Sequence, residues 1–185
     1  MIKPIEIKPD AKLIQDAAYY AFTIVFDSFE QGYKPRFGNG GLIKHLIGKI
    51  GELAFFRYCM ENGIAVKHTP FRNDYSKLNG KDDFIISIFG YDIPVEVKTQ
   101  TVKEINGDLR LFYNKEQYYS KQKDGIVVFV AINPEITEIS ILGWIHLKDI
   151  EKYPIWEKNL QSPAFAIPVT ALKDLRILVG DSNEL

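Results

Sequence analysis

The segment Val95-Glu96-Val97-Lys98-Thr99-Gln100 alternates between side chains that pack and side chains that can do chemistry. In an extended strand successive side chains point to opposite faces, so Glu96, Lys98 and Gln100 project together while Val95, Val97 and Thr99 project the other way. Upstream, Asp83 opens a second β-like run that ends at Phe89, and a tight connection through Gly90-Tyr91-Asp92 brings it back alongside Glu96. Two carboxylates then stand beside one lysine. That set suits Mg²⁺, a hard cation that keeps several waters and takes one or two carboxylates plus phosphate oxygens. Asp83, Glu96 and the Val97 carbonyl are the candidate ligands. A cation held there lowers the pKa of a bound water and stabilises charge building on phosphate oxygens, and Lys98 is placed to orient or stabilise the nucleophile.

A fourth candidate comes from a helix. The apolar residues Ile43, Leu46, Ile47, Ile50, Leu53 and Ala54 recur at helical spacing over about Leu42–Glu61, and Asn62-Gly63 stops the pattern. Glu52 is flanked there by Gly48 and Gly51. Each glycine inside a helix costs about 1 kcal/mol relative to alanine. Bare backbone at these positions lets the helix approach the sheet closely, which would bring Glu52 to the site as a further metal ligand or a water-orienting base. The plainer alternative is tight packing with a solvated Glu52.

The remaining elements follow from periodicity and punctuation. After a proline-punctuated start, Asp10 caps a first helix that ends near Gly32, with Leu13, Ala17, Tyr20, Ala21 and Ile24 at helical spacing. Short β-like runs at Ile64–His68, Asp83–Phe89 and Ile93–Gln100 read as a meander. Asn114 and Gln117 form a capping pair for a helix through about Lys121. Ile126–Ile132 lacks alternation and suits a strand covered on both faces, Ile139–Leu147 reads as another, and helical turns are expected near Leu147–Lys152 and Thr170–Leu175. With 185 residues, 46% of them hydrophobic, the chain can bury a real core as one domain. One cysteine, no leader-like start and no run long enough to span a bilayer place it in the cytoplasm, away from membranes.

The order of these features resembles the PD-(D/E)XK nuclease superfamily: a helix bearing Gly51-Glu52, a strand-opening Asp83, a Val95-Glu96-Val97-Lys98 strand, then a helix and a buried strand, over roughly Gly41 to Ile132. The resemblance implies an α/β, restriction-endonuclease-like αβββαβ core whose central mixed sheet is flanked by helices. An extra N-terminal helix and one or more extra C-terminal strands complete a single nuclease domain over 1–185, with the core at about 41–147 and the N-terminal extension at 10–32. It further implies metal bound by Asp83 and Glu96, Lys98 as the superfamily's lysine, and Glu52 as its first-helix glutamate. Asp82-Asp83 stands where the motif has proline-aspartate, so either aspartate can be the ligand, and Asp83 is the better match because it directly precedes the strand. The activity implied is Mg²⁺-dependent hydrolysis of DNA, with Mn²⁺ substituting, by an endonuclease acting as a homodimer. The alternatives are a structure-selective nuclease of the Holliday-junction kind and a nuclease-like fold that only binds nucleic acid.

Charge placement accompanies this reading. The formal net charge of -1 is uneven: Glu30–Arg72 holds seven Lys/Arg against three Asp/Glu, and Lys98–Lys123 six against three. Gln100, Lys103, Arg110, Lys115 and Lys121 are the candidate nucleic-acid contacts. Tyr113, Tyr118 and Tyr119 interleave with them, equally suited to stacking on bases and to lining a helix boundary. Gly38–Gly41 lacks the lysine and hydroxyl residue of a phosphate-binding P-loop. His45, His68 and His146 lack zinc spacing.

Overall fold

A computed structural model of the chain describes residues 2–30, 41–73, 84–120 and 124–180, with backbone alone at 28–30 and 179. The strands are β1 (Ile5–Ile7), β2 (Ala65–His68), β3 (Phe84–Ile88), β4 (Tyr91–Thr101), β5 (Arg110–Asn114), β6 (Ile126–Ile132), β7 (Ile139–His146), β8 (Ile155–Trp156) and β9 (Ala164–Pro168). The helices are α1 (Ala11–Glu30), α2 (Gly41–Glu61) and α3 (Lys115–Ser120), with 3₁₀ turns at Leu147–Lys152, Val169–Ala171 and Leu175–Val179. Six strands form a mixed sheet in the order β1-β7-β6-β4-β3-β2, and β5-β9-β8 form a smaller antiparallel sheet.

Helix α1 starts where its cap is. The Asp10 carboxylate accepts the Leu13 N–H at 2.8 Å and pairs with Arg57, and these bonds hold its pKa below the usual carboxylate range. Leu13, Ala17 and Ala21 are buried at the expected spacing, and Tyr20 stacks on Phe71. In α2 the buried face runs through Ile50-Gly51, Ala54-Phe55 and Tyr58-Cys59. Ile43, expected on that face, is 61% exposed. The apolar stripe rotates out of the core over the first turn.

The predicted meander forms: β2, β3 and β4 pair antiparallel in succession. Strand β6 then lies parallel to β4 and antiparallel to β7, and each of its seven residues is buried, as a strand covered on both faces requires. Alternate residues of β6 supply two cores. Ile126, Val128, Val130 and Ile132 join Val95, Ile50, Ala54 and Phe55 under α2, while Val127, Phe129 and Ala131 face Tyr113, Tyr118 and Phe165 of the smaller layer. Gly125 enters β6 at φ +99°, and an added Cβ would lie 2.3 Å from the Pro94 carbonyl oxygen, so the turn requires glycine.

The sequence expectation gave no place to β1, β5, β8 or β9, although it included one or more extra C-terminal strands. Two of these are short, and β9 lies in the proline-interrupted C-terminal stretch, where Pro168 closes a strand that pairs on both edges.

Helix α2 meets β4 at one very close point. A Cβ on Gly51 would stand 2.0 Å from Thr99 Oγ1 and 3.0 Å from Thr99 Cβ, whereas Gly48 has open space around it. Thr99 Oγ1 is itself buried, with no hydrogen-bond partner among the described residues. Gly51→Ala is expected to cost about 1–3 kcal/mol by overpacking. Adding Thr99→Ala, which removes Oγ1 and the Cγ2 methyl, the latter also 3.0 Å from the added Cβ, should recover part of that loss. Urea unfolding of the two single variants and the double variant checks this, and simple additivity would contradict it.

Candidate active site

Strand β4 changes partner at Val95. It pairs with β3 from Tyr91 to Val95 and with β6 from Val95 to Thr101. From Glu96 onward, no strand among the described residues lies against its other edge. Because β6 is parallel to β4, the chain has to cross back along the sheet, and this crossover carries β5 and α3 over the face from which Glu96 and Lys98 emerge. Glu96 is opposite Val127 and Lys98 opposite Phe129, the two β6 residues that belong to the layer of Tyr113 and Tyr118.

Glu96 is buried, at 6% exposure, and its oxygens are divided between donors. Oε2 accepts a hydrogen bond from the Tyr113 hydroxyl on β5. Oε1 accepts from Gln117 Nε2 on α3 at 2.7 Å and pairs with Lys98 Nζ at 2.7 Å. Lys98 Nζ also donates to Gln117 Oε1 at 2.7 Å and lies 5.0 Å from the centre of the Tyr113 ring. Gln117 thus bridges the carboxylate and the ammonium with the two ends of one amide. Its own position is fixed by the start of α3. Asn114 Oδ1 caps its N–H at 2.8 Å, Asn114 Nδ2 donates to Ser162 Oγ at 2.6 Å, and the Lys115 N–H donates to the Pro163 carbonyl at 3.0 Å.

The capping expectation was half right. Asn114 does cap the helix, but the Gln117 side chain turns to Glu96 and Lys98 instead of returning to the cap. Tyr113 and Tyr118 are fully buried in edge-on contact, which removes them as base-stacking faces; Tyr119 is 60% exposed. The involvement of Tyr113 had a legible signal in the alternation of Arg110-Leu111-Phe112-Tyr113-Asn114, in which Leu111 and Tyr113 point inward.

The other predicted residues fall as follows. Asp82, Asp83 and Lys121 lie outside the described residues. Glu52 is on α2, which covers the opposite face of β4 with Val95 and Thr99, and its carboxylate pairs with the buried Lys49 at 2.6 Å. His45, one turn before Lys49, has its pKa lowered by burial and then by the Lys49 charge. The close approach at Gly51 therefore brings α2 to Thr99 and not to the Glu96 face. Gln100, Lys103 and Arg110 line one shallow groove of about 490 Å³ with Asn106, Asp108 and Phe112. Gln100 spans the gap from β4 to β5, donating to the Arg110 carbonyl at 3.0 Å and accepting the Phe112 N–H at 3.3 Å. Lys115 is half-buried on α3.

The oxygens of Glu96 are of the kind that a hard cation takes. The carboxylate already holds the Lys98 ammonium at Oε1, and Val97 offers a backbone carbonyl on the same strand. Among the described residues no three His, Cys, Asp or Glu side chains form a metal-holding group. A second carboxylate would have to come from Asp83. No protein-family model, curated protein or solved structure matches the chain.

Glu96 and Lys98 are energetically interdependent in this arrangement, since removing either leaves the other charge largely buried. A double-mutant cycle of Glu96→Gln and Lys98→Met, read by urea unfolding, should give a coupling energy of about 1–3 kcal/mol. Coupling near zero would mean that the pair is not formed.

Proposed function

We propose that the chain is a divalent-metal-dependent nuclease that hydrolyses phosphodiester bonds of DNA, as an endonuclease. The observation that carries this reading is the Glu96–Lys98 pair, buried on one face of β4 at the point where that strand outruns β3. Asp83, which lies outside the described residues, directly precedes Phe84, the residue paired with Val95, and in this reading supplies the second carboxylate. The order α2, β2, β3, β4, α3, β6, with β4 and β6 parallel, supports a restriction-endonuclease-like αβββαβ core into which β5 is inserted.

In this reading Glu96, Asp83 and the Val97 carbonyl hold Mg²⁺, or Mn²⁺ in its place. The metal supplies an activated water and neutralises charge on the phosphate oxygens. The chain's own residues do the rest. Lys98 turns its ammonium from Glu96 toward the attacked phosphate, Gln117 keeps both groups in register, and the groove beginning at Gln100, about 7 Å further along the strand, offers Lys103 and Arg110 to flanking phosphates. Glu52 would act as an additional ligand or water-orienting base only after parting from Lys49 and reaching past β4 from the opposite face. A homodimer is the simplest way to cut both strands of a duplex. Among the described residues no helix is long and apolar enough to cross a membrane.

One observation favours a second reading, in which the fold only binds nucleic acid: both Glu96 oxygens are already held by protein donors. Incubating the protein with labelled duplex, single-stranded and four-way-junction DNA in Mg²⁺ or Mn²⁺ separates the two. The nuclease reading expects cleavage that EDTA abolishes and that Lys98→Ala reduces by at least 100-fold. Binding without cleavage in either metal would move the assignment to a binding protein, and a junction-only product would make the enzyme structure-selective.

A further inference from the structure

The two oxygens of Glu96 are held by groups of different exposure. Oε1 faces Lys98, whose side chain is 25% exposed, and the half-buried Gln117. Oε2 faces the hydroxyl of Tyr113, a residue with no exposed surface. Tyr113 is the next-to-last residue of β5, paired with Phe165 on β9, with its ring edge-on to Tyr118 at 6.3 Å. That ring has no room to change rotamer, so its hydroxyl is a fixed donor. The same ring lies under the Lys98 ammonium, 5.0 Å from its centre. One residue therefore touches both groups of the pair, the carboxylate through its hydroxyl and the ammonium through its aromatic face.

We propose that Tyr113 is a positioning residue that pins Oε2 of Glu96, leaves Oε1 as the oxygen that exchanges Lys98 for a divalent cation, and keeps the displaced ammonium beside the site; this rests on the nuclease reading. A carboxylate fixed at one oxygen presents the other without a rotational search, and donors behind a metal-binding carboxylate typically carry about 10–100-fold of the metal affinity. Tyr113→Phe removes the hydroxyl and keeps the ring that packs on Tyr118 and Lys98.

The test is direct Mn²⁺ binding in the absence of DNA, followed by the electron paramagnetic resonance signal of free Mn²⁺, on the wild type, Tyr113→Phe, Tyr118→Phe and Glu96→Gln, with thermal melts of each. The expected result is a Kd about 10–100-fold weaker in Tyr113→Phe, no measurable site in Glu96→Gln, and wild-type affinity in Tyr118→Phe even though it too loses a buried hydroxyl. Wild-type affinity in Tyr113→Phe would overturn the positioning role and leave the nuclease reading standing. Equal losses in Tyr113→Phe and Tyr118→Phe would overturn it as well, because they would show only general loosening of the layer. A wild-type protein that neither binds Mn²⁺ nor cleaves DNA would remove the nuclease reading and this proposal with it.

Discussion

A carboxylate at 6% exposure cannot be left alone. Taking an ion out of water costs several kcal/mol, and only well-placed donors and an opposite charge offset it. Glu96 meets that demand with an ammonium from two residues along its own strand, an amide from α3 and a hydroxyl from β5. Each charge-assisted bond contributes on the order of 1.5–3 kcal/mol, and each requires its element to be where it is. The crossover between β4 and β6 is the means. A parallel pair needs a long connection, and this one is used to bring β5 and α3 down onto the face of β4 that carries the charges.

The opposite face of β4 is governed by shape. Val95 enters the core under α2, and Thr99 presses on the bare backbone of Gly51. The strand is thus clamped between a helix that leaves no room for a methyl group and a layer that satisfies a buried ion. Rigid support on both faces is what a site needs if its reacting groups are to be held to a fraction of an ångström. Lys49 and Glu52 form a separate ion pair on α2, and with His45 nearby they make that helix a second concentration of ionisable groups.

Much of this was legible in the residues. Alternation in Val95–Gln100 assigned the two faces of β4 correctly, the unbroken apolar run at Ile126–Ile132 gave a strand buried on both sides, and the Asp10 and Asn114 caps began their helices where expected. What the sequence concealed were contacts between residues far apart in the chain. Gln117 looks like a capping residue because its spacing from Asn114 is local, while its real partners lie 21 and 19 positions away. Gly51 signalled a close approach without revealing that Thr99 was the group approached. Strands β8 and β9 hid behind prolines because propensity weighs Pro154, Pro163 and Pro168 as breakers, and pairing across the small sheet overrides it.

In the proposed nuclease, Glu96 Oε1 gives up Lys98 to a divalent cation. Diffraction from crystals soaked in millimolar Mn²⁺, collected where manganese scatters anomalously, tests it most directly. The account predicts an anomalous peak about 2.2 Å from a Glu96 carboxylate oxygen, with the Lys98 ammonium moved off that oxygen. An undisturbed Glu96–Lys98 pair with no peak beside it at saturating Mn²⁺ would contradict the account.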